Sequence, residues 1–178
     1  MILSVLVAGG RVDVTAGIGS RYVDLAATNG AIEWVKAAGS GNTGWRVVYG
    51  DTGWCTVRSW NAAGVVTGDP FPAGWKPRTG VPGYVAVRRS GHRVSVALSF
   101  IEAAVTGTAD LIYVLPAGFD PDPKIRDTTL ISITLSGNKA FAITPRLYRA
   151  SMGLLAGEYI QGALLDFETA SAWPSTLP

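Results

Sequence analysis

The sequence predicts an all-β chain, folded as an antiparallel β-sandwich or a barrel-like module. Its apolar runs are short, rich in Val, Ile, Thr and aromatic residues, and closed by Gly, Pro, Asn or Asp. That composition suits a pleated, half-buried surface. Two stretches alternate apolar and polar residues on both sides of a short turn, the pattern of a hairpin. No long segment repeats its apolar residues at the 3.6-residue spacing of an amphipathic helix.

Residues 1–8 are apolar except for Ser4, a short run with no basic residue ahead of it, so they read as a first strand rather than an export signal. Strands are expected next at 22–26, 31–37, 45–49 and 54–58. The triplet Thr43-Gly44-Trp45 recurs as Thr52-Gly53-Trp54, which places each tryptophan just after a turn, at the start of a strand. Residues 84–89 then alternate, Ser90-Gly91 turns the chain, and 92–100 alternate again. Side chains in a strand repeat every two residues, so Val94, Val96, Leu98 and Phe100 share one face. The segment 101–105 has room for one helical turn before Gly107. A strand at 111–115 follows, then a second hairpin with arms 130–136 and 139–144 about a Gly137-Asn138 turn. Strands at 146–150 and 158–167 complete the set.

Two loops interrupt this series. Residues 61–83 hold Gly64, Gly68, Pro70, Pro72, Gly74, Pro77, Gly80, Pro82 and Gly83. A stretch so broken reads as a linker or an exposed functional loop. It is also the natural boundary between an N-terminal β region, 1–60, and a C-terminal β-sandwich, 84–178. The second loop begins at Pro116 and runs through Asp120, Pro121, Asp122 and Pro123. Proline lacks the donor a strand needs, so the preceding strand ends there.

Charge narrows the choice of partner. The 15 basic and 13 acidic residues leave a net charge of only +2, too little field to steer nucleic acid. Arg88, Arg89 and Arg93 form the one basic cluster, around the first hairpin turn, where a solvated rim is the ordinary reading. Charged residues are 16% of the chain and apolar ones 48%, against roughly 25% charged in an ordinary soluble domain. Such a surface is either covered by Gly, Ser and Thr or buried against further copies of the chain. No apolar stretch approaches the roughly 18–20 residues of a membrane-spanning helix, so membrane insertion is not expected. The single cysteine, Cys55, rules out an internal disulfide and leaves a structural zinc site short of ligands.

The catalytic patterns fail one after another. His92 is the only histidine, beside the hairpin turn and among arginines, and reads as an exposed hairpin residue rather than the base of a triad. No Gly-x-Ser-x-Gly elbow is present to seat a nucleophile. Cys55, between Trp54 and Thr56, reads as a small core residue. Gly39-Ser40-Gly41-Asn42-Thr43-Gly44 matches the dinucleotide fingerprint, but a strand follows where the mechanism needs a helix N-terminus. No cofactor is therefore expected. Glu33, Asp110, Asp120, Asp122, Glu158, Asp166 and Glu168 show no spacing that pairs two acids across a sugar or builds a calcium loop. No catalytic or metal-binding residue is assigned, and the chain reads as a binding or assembly module rather than an enzyme.

Aromatic residues carry more information. Among the six tryptophans, Trp34, Trp45 and Trp54 are expected in the core, and Trp173 lies near the end of the sequence. Trp60 and Trp75 border the Gly/Pro-rich loop, where core packing and ligand contact are equally open. Exposed tryptophan on a β scaffold stacks on sugar rings, and buried tryptophan anchors interfaces.

Several segments resemble known proteins. Tyr22-Val23-Asp24-Leu25, Gly30-Ala31-Ile32-Glu33-Trp34-Val35-Lys36 and the glycine-rich run from Gly39 through Trp54 are similar to a segment of minor tail proteins of actinobacterial bacteriophages. Val85-Ala86-Val87-Arg88-Arg89, with Gly91 and Val94-Ser95-Val96, resembles the strand, arginine pair, turn and strand of phage fibre tips. Leu115-Pro116-Ala117-Gly118-Phe119 precedes an Asp/Pro-rich loop, as in those tips, and the ending from Ala172 to Pro178 is similar to theirs. The resemblance covers roughly residues 20–178. Cys55 stands where that family often carries an arginine.

The resemblance implies a virion structural protein, a homotrimer at the tail tip or on a fibre. Its partners would be its own copies, other virion proteins and a host cell-envelope glycan. Region 1–60 would then serve attachment and assembly, and 84–178 would form the tip. Loops 61–83 and 116–128 are the expected contact loops, with Trp60, Trp75, Arg78 and Phe119 as contact residues. Two alternatives stay open: a capsid decoration, head-fibre or connector protein at the capsid surface, and a glycan-depolymerising tail enzyme.

Overall fold

The computed structural model describes residues 2–4, 15–106, 114–124, 131–134, 140–143 and 155–178. Among these the chain is all-β, without a helix. Strands β1 (Ile2–Ser4), β2 (Arg21–Val23), β3 (Ala31–Lys36) and β4 (Trp45–Gly50) form a four-stranded sheet in sequence order. Its β1–β2 pair is parallel and the others antiparallel. A larger sheet contains β5 (Cys55–Trp60), β6 (Val66–Gly68), β7 (Trp75–Pro77), β8 (Gly83–Ser90) and β9 (Arg93–Ala103). After β10 (Ile131–Thr134) and β11 (Ala140–Ile143), which pair antiparallel with each other, β12 (Tyr159–Glu168) completes it. The large sheet runs β12-β9-β8-β5-β6, with β7 also on β9. The all-β, chiefly antiparallel class expected from the sequence is thus found, in two main sheets.

The first hairpin pairs as its alternation requires, from Val85↔Leu98 to Ser90↔Arg93. Ser90 is therefore the last strand residue, and Gly91 and His92 make the turn. Gly91 takes a φ of +58°, the left-handed region that a two-residue hairpin turn demands. Val85, Val87, Val94, Val96 and Leu98 are buried on one face and form the centre of the core with Leu165 and Phe167 of β12. Phe100 does not continue that row. It adopts a φ of +53°, which costs a bulky residue roughly 1–2 kcal/mol, and the inward face passes to Ile101 and Ala103. β12 turns over in register with it: Leu98 faces Ala163, and beyond the switch Ile101 faces Ile160. The Phe100 ring, stacked on Tyr159 at 6.4 Å, gains contacts that offset the strain. The helical turn expected at 101–105 is absent, since β9 runs on to Ala103 and β7 pairs with it there, Trp75↔Ala103 and Pro77↔Ile101.

The boundary expected at 61–83 does not separate the sheets. β5, from the proposed N-terminal region, pairs with β8 along Cys55↔Val87 to Trp60↔Gly83. The intervening residues fold back as β6 and β7 instead of forming a linker. Arg58 holds part of this return: its Nε donates to the Asp69 carbonyl, Nη2 to the Pro70 carbonyl, and the guanidinium lies 4.2 Å from the Phe71 ring centroid. Gly83 is required here, because a Cβ at this position would stand 2.3 Å from the Trp60 ring. The expected strand at 146–150, the Gly137-Asn138 turn and most of 111–115 lie outside the described residues; residues 114 and 115 are not in a strand.

The two sheets meet at the β8–β9 turn. Gly91 N–H donates to the Gly50 carbonyl (3.0 Å), Thr52 N–H to Arg89 O (2.9 Å), and Asp51 bridges to Ser90. Gly50 must be small, since a Cβ would meet the Gly30 carbonyl at 2.7 Å and the Trp173 ring at 2.8 Å.

Candidate binding face

One face of the large sheet packs the core and the other forms an open trough. Strand register defines its rows. Thr56 pairs with Ala86, Ala86 with Ala97 and Ala97 with Leu164, which sets one row across β5, β8, β9 and β12. Next to it Ser59 pairs with Tyr84, Tyr84 N–H donates to Ser99 Oγ (3.2 Å), and Ser99 pairs with Gly162. Of the two middle strands, β8 thus supplies Tyr84 and Ala86 and β9 supplies Ala97 and Ser99, so that small residues make most of the floor, Tyr84 rises from it, and Trp54 and Leu164 stand at its sides. Trp54 is 49% exposed, Tyr84 45% and Leu164 61%. The resulting trough encloses about 1160 Å³, more than the roughly 300–1,000 Å³ of an ordinary small-molecule cleft.

A charged row lies beside the trough. Arg88 pairs with Ser95, and Ser95 with Asp166, along the strands. Arg88 donates to both Asp51 carboxylate oxygens, Nε at 3.0 Å and Nη2 at 2.5 Å. Ser95 Oγ and Arg93 Nη2, the latter at 2.9 Å, donate to Asp166. The hydrogen bonds from Arg88 hold Asp51 below the usual carboxylate range, and those from Ser95 and then Arg93 do the same for Asp166. A carboxylate with a lowered folded pKa contributes stability that is present above its unfolded pKa, about 4, and lost as pH falls through the folded value. Stability is therefore expected to hold from neutral pH to about pH 4–5 and to decline below that. In acid-dependent urea unfolding, Asp51→Asn should show a shallower decline than the parent protein. Parallel curves for the two would refute the role given to Asp51.

The residues singled out from the sequence fall elsewhere. Trp60 is 3% exposed, Trp75 4% and Phe119 fully buried, all within the core of the large sheet. They are packing residues in this chain rather than surface contacts. The prolines and glycines around them bend the chain back onto the sheet, which carries the aromatic side chains inward. Arg78 is half-buried and engaged within the fold: it lies 3.6 Å from the Tyr159 ring centroid and 3.5 Å from Glu102. Trp54, expected in the core, stands at the rim.

Nor is Arg89 on a solvated rim. It is buried, and its guanidinium donates to the carbonyls of Gly91, Gly118, Ser171 and Ala172. Burial pulls its pKa below the usual arginine value. Its parity with Val85 and Val87 in β8 was the signal in the sequence that it points inward.

The glycine-rich segment 39–44 has a use of its own. Lys36 is 1% exposed, and its Nζ donates to the Gly41 carbonyl (2.8 Å) and to that of Thr43. The loop thus turns carbonyl oxygens onto an ammonium group, whereas a phosphate cradle presents N–H groups. Burial raises the Cys55 thiol pKa, which disfavours the reactive thiolate. Among the described residues no group of His, Cys, Asp and Glu is placed to hold a metal ion. No protein-family model, curated protein or solved structure matches the chain.

Proposed function

We propose that this chain is a bacteriophage virion structural protein, a minor tail or fibre-tip protein that contributes to host-surface attachment as a homotrimer. The observation that carries the reading is the open face of the large sheet, which presents Trp54, Tyr84 and Leu164 on a trough floored mostly by small residues. A surface of that kind serves recognition or assembly, because isolated soluble domains seldom leave large apolar patches uncovered. The tail-protein resemblance over residues 20–178 supplies the biological setting. The low charge content, 16%, suits a chain that buries surface against its own copies and protects its strand edges there. The attachment surface on this reading is the trough, in place of Trp60, Trp75 and Phe119.

Fluorescently labelled protein incubated with intact cells of several actinobacteria, and scored by flow cytometry, tests attachment. Saturable binding to some strains and not others is the expected result. Light scattering should return the mass of a trimer. Failure of the assembled oligomer to bind any strain would favour the second reading, a decoration or connector protein. The 61% exposure of Leu164 is the observation behind that alternative, since an apolar side chain at the rim suits cover by another virion protein.

A further inference from the structure

We infer that the trough on the open face of the large sheet is a binding site for an elongated, uncharged glycan strand. This inference rests on the attachment reading above and names its ligand class.

Charge decides against an acidic or basic ligand. The row beside the trough carries both signs, but each arginine is matched within the fold, Arg88 with Asp51 and Arg93 with Asp166. A cation or anion entering the trough meets pairs whose fields largely cancel at the distance of a ligand. An anion-binding face would present arginines with uncommitted forks. What remains for recognition is apolar area and neutral hydrogen-bonding groups.

Both are arranged for sugar rings. Trp54 at the side and Tyr84 on the floor offer aromatic surface, where the C–H face of a pyranose packs. Thr56, Ser59 and Gln161 line the same space and offer hydroxyl and amide groups. Ser99 Oγ accepts from the Tyr84 N–H, which leaves its own O–H to donate. The small floor gives the depth, and the about 1160 Å³ of space suits a chain of several sugar residues better than one.

The test is a titration of the full-length protein, followed by calorimetry and tryptophan fluorescence. The probes are neutral oligosaccharides of glucose, galactose and mannose, an oligogalacturonate as charged counterpart, and the neutral and acidic polysaccharide fractions from the envelope of a strain the protein binds. Binding is expected for a neutral probe and not for the acidic ones. Trp54→Ala should weaken it roughly tenfold, the scale of losing one aromatic stacking contact together with its buried area, and Trp54→Phe should restore most of the loss. Ala97→Leu, which fills the floor from the face away from the core, should abolish binding while circular dichroism stays that of the parent. Tighter binding of an acidic probe, or neutral binding unchanged in both Trp54→Ala and Ala97→Leu, would overturn the inference. So would cell binding with no neutral probe bound, an outcome that leaves attachment standing. Neutral-glycan binding without cell binding would instead uphold the trough and remove the attachment reading. Should Trp54→Ala change the oligomeric mass while no glycan binds, the face is an interface between copies and the glycan inference falls.

Discussion

Replacing Arg89 by alanine should lower the stability of the fold by about 3–5 kcal/mol, the range for removing one partner from a buried charged network. The side chain is 3% exposed, and its donors reach carbonyl groups in three separate parts of the chain. Gly91 lies in the β8–β9 turn, Gly118 in the turn before Phe119, and Ser171 and Ala172 in the segment after β12. Alanine would leave all four carbonyls, in part-buried surroundings, without the donor that ties them together. The damage extends to the small sheet, because Trp173, stacked 4.8 Å from the Arg89 guanidinium, donates to the Asn29 carbonyl (2.9 Å). Asn29 in turn donates to the Pro174 carbonyl (3.0 Å). Lysine at position 89 should recover only part of the loss, since a compact ammonium cannot span the acceptors that the planar fork reaches. Urea unfolding of the parent and both variants would measure this, with hydrogen exchange reporting whether amides near 169–174 lose protection. A loss under about 1 kcal/mol in Arg89→Ala would refute the hub, because each charge-assisted bond alone is worth more than that when buried.

Much of the large sheet was legible because its strands alternate and its first hairpin turn is short. A period of two fixes which residues face inward, and Val85, Val87, Val94, Val96 and Leu98 obey it. The same rule, applied to the arginines, places Arg89 inside and Arg88 outside; composition drew attention to a basic cluster and hid that distinction. Phe100 broke the pattern through a backbone rotation that no side-chain periodicity reports. In the segment 61–83, glycine and proline density marked an interruption correctly but said nothing of where the chain goes next. Its return depends on acceptors far from their donor in sequence, as when Arg58 reaches the Asp69 and Pro70 carbonyls. The binding face was illegible for a related reason. Tyr84, Ala86, Ala97 and Leu164 come from three strands, and only strand order and register make them neighbours. Trp54 stands one residue before β5, outside the alternation that would have shown its direction.

Phe119→Ala should also lose about 3–5 kcal/mol, the usual result of removing a fully buried phenylalanine, while the trough keeps its shape. Phe119 closes a turn whose N–H bonds back to the Pro116 carbonyl (3.0 Å), and its ring enters the core cluster with Leu115 and Trp75. The neighbouring Gly118 lies so near the chain's end that a Cβ there would stand 2.9 Å from Pro174. The cavity left by alanine therefore sits beneath the segment that Arg89 secures, on the core side of the sheet and away from Trp54 and Tyr84. For a chain of this length the melting temperature should fall by on the order of 10 °C. Trp54→Ala should move it by less than roughly 0.5 kcal/mol in stability terms, as exposed positions usually do. The two variants thus separate folding from recognition. Below its melting point Phe119→Ala should bind cells like the parent protein, and Trp54→Ala should melt like the parent and bind more weakly. If Phe119→Ala instead kept its melting temperature and lost cell binding, the residue would be a surface contact after all, and the core assigned to this face of the sheet would be wrong.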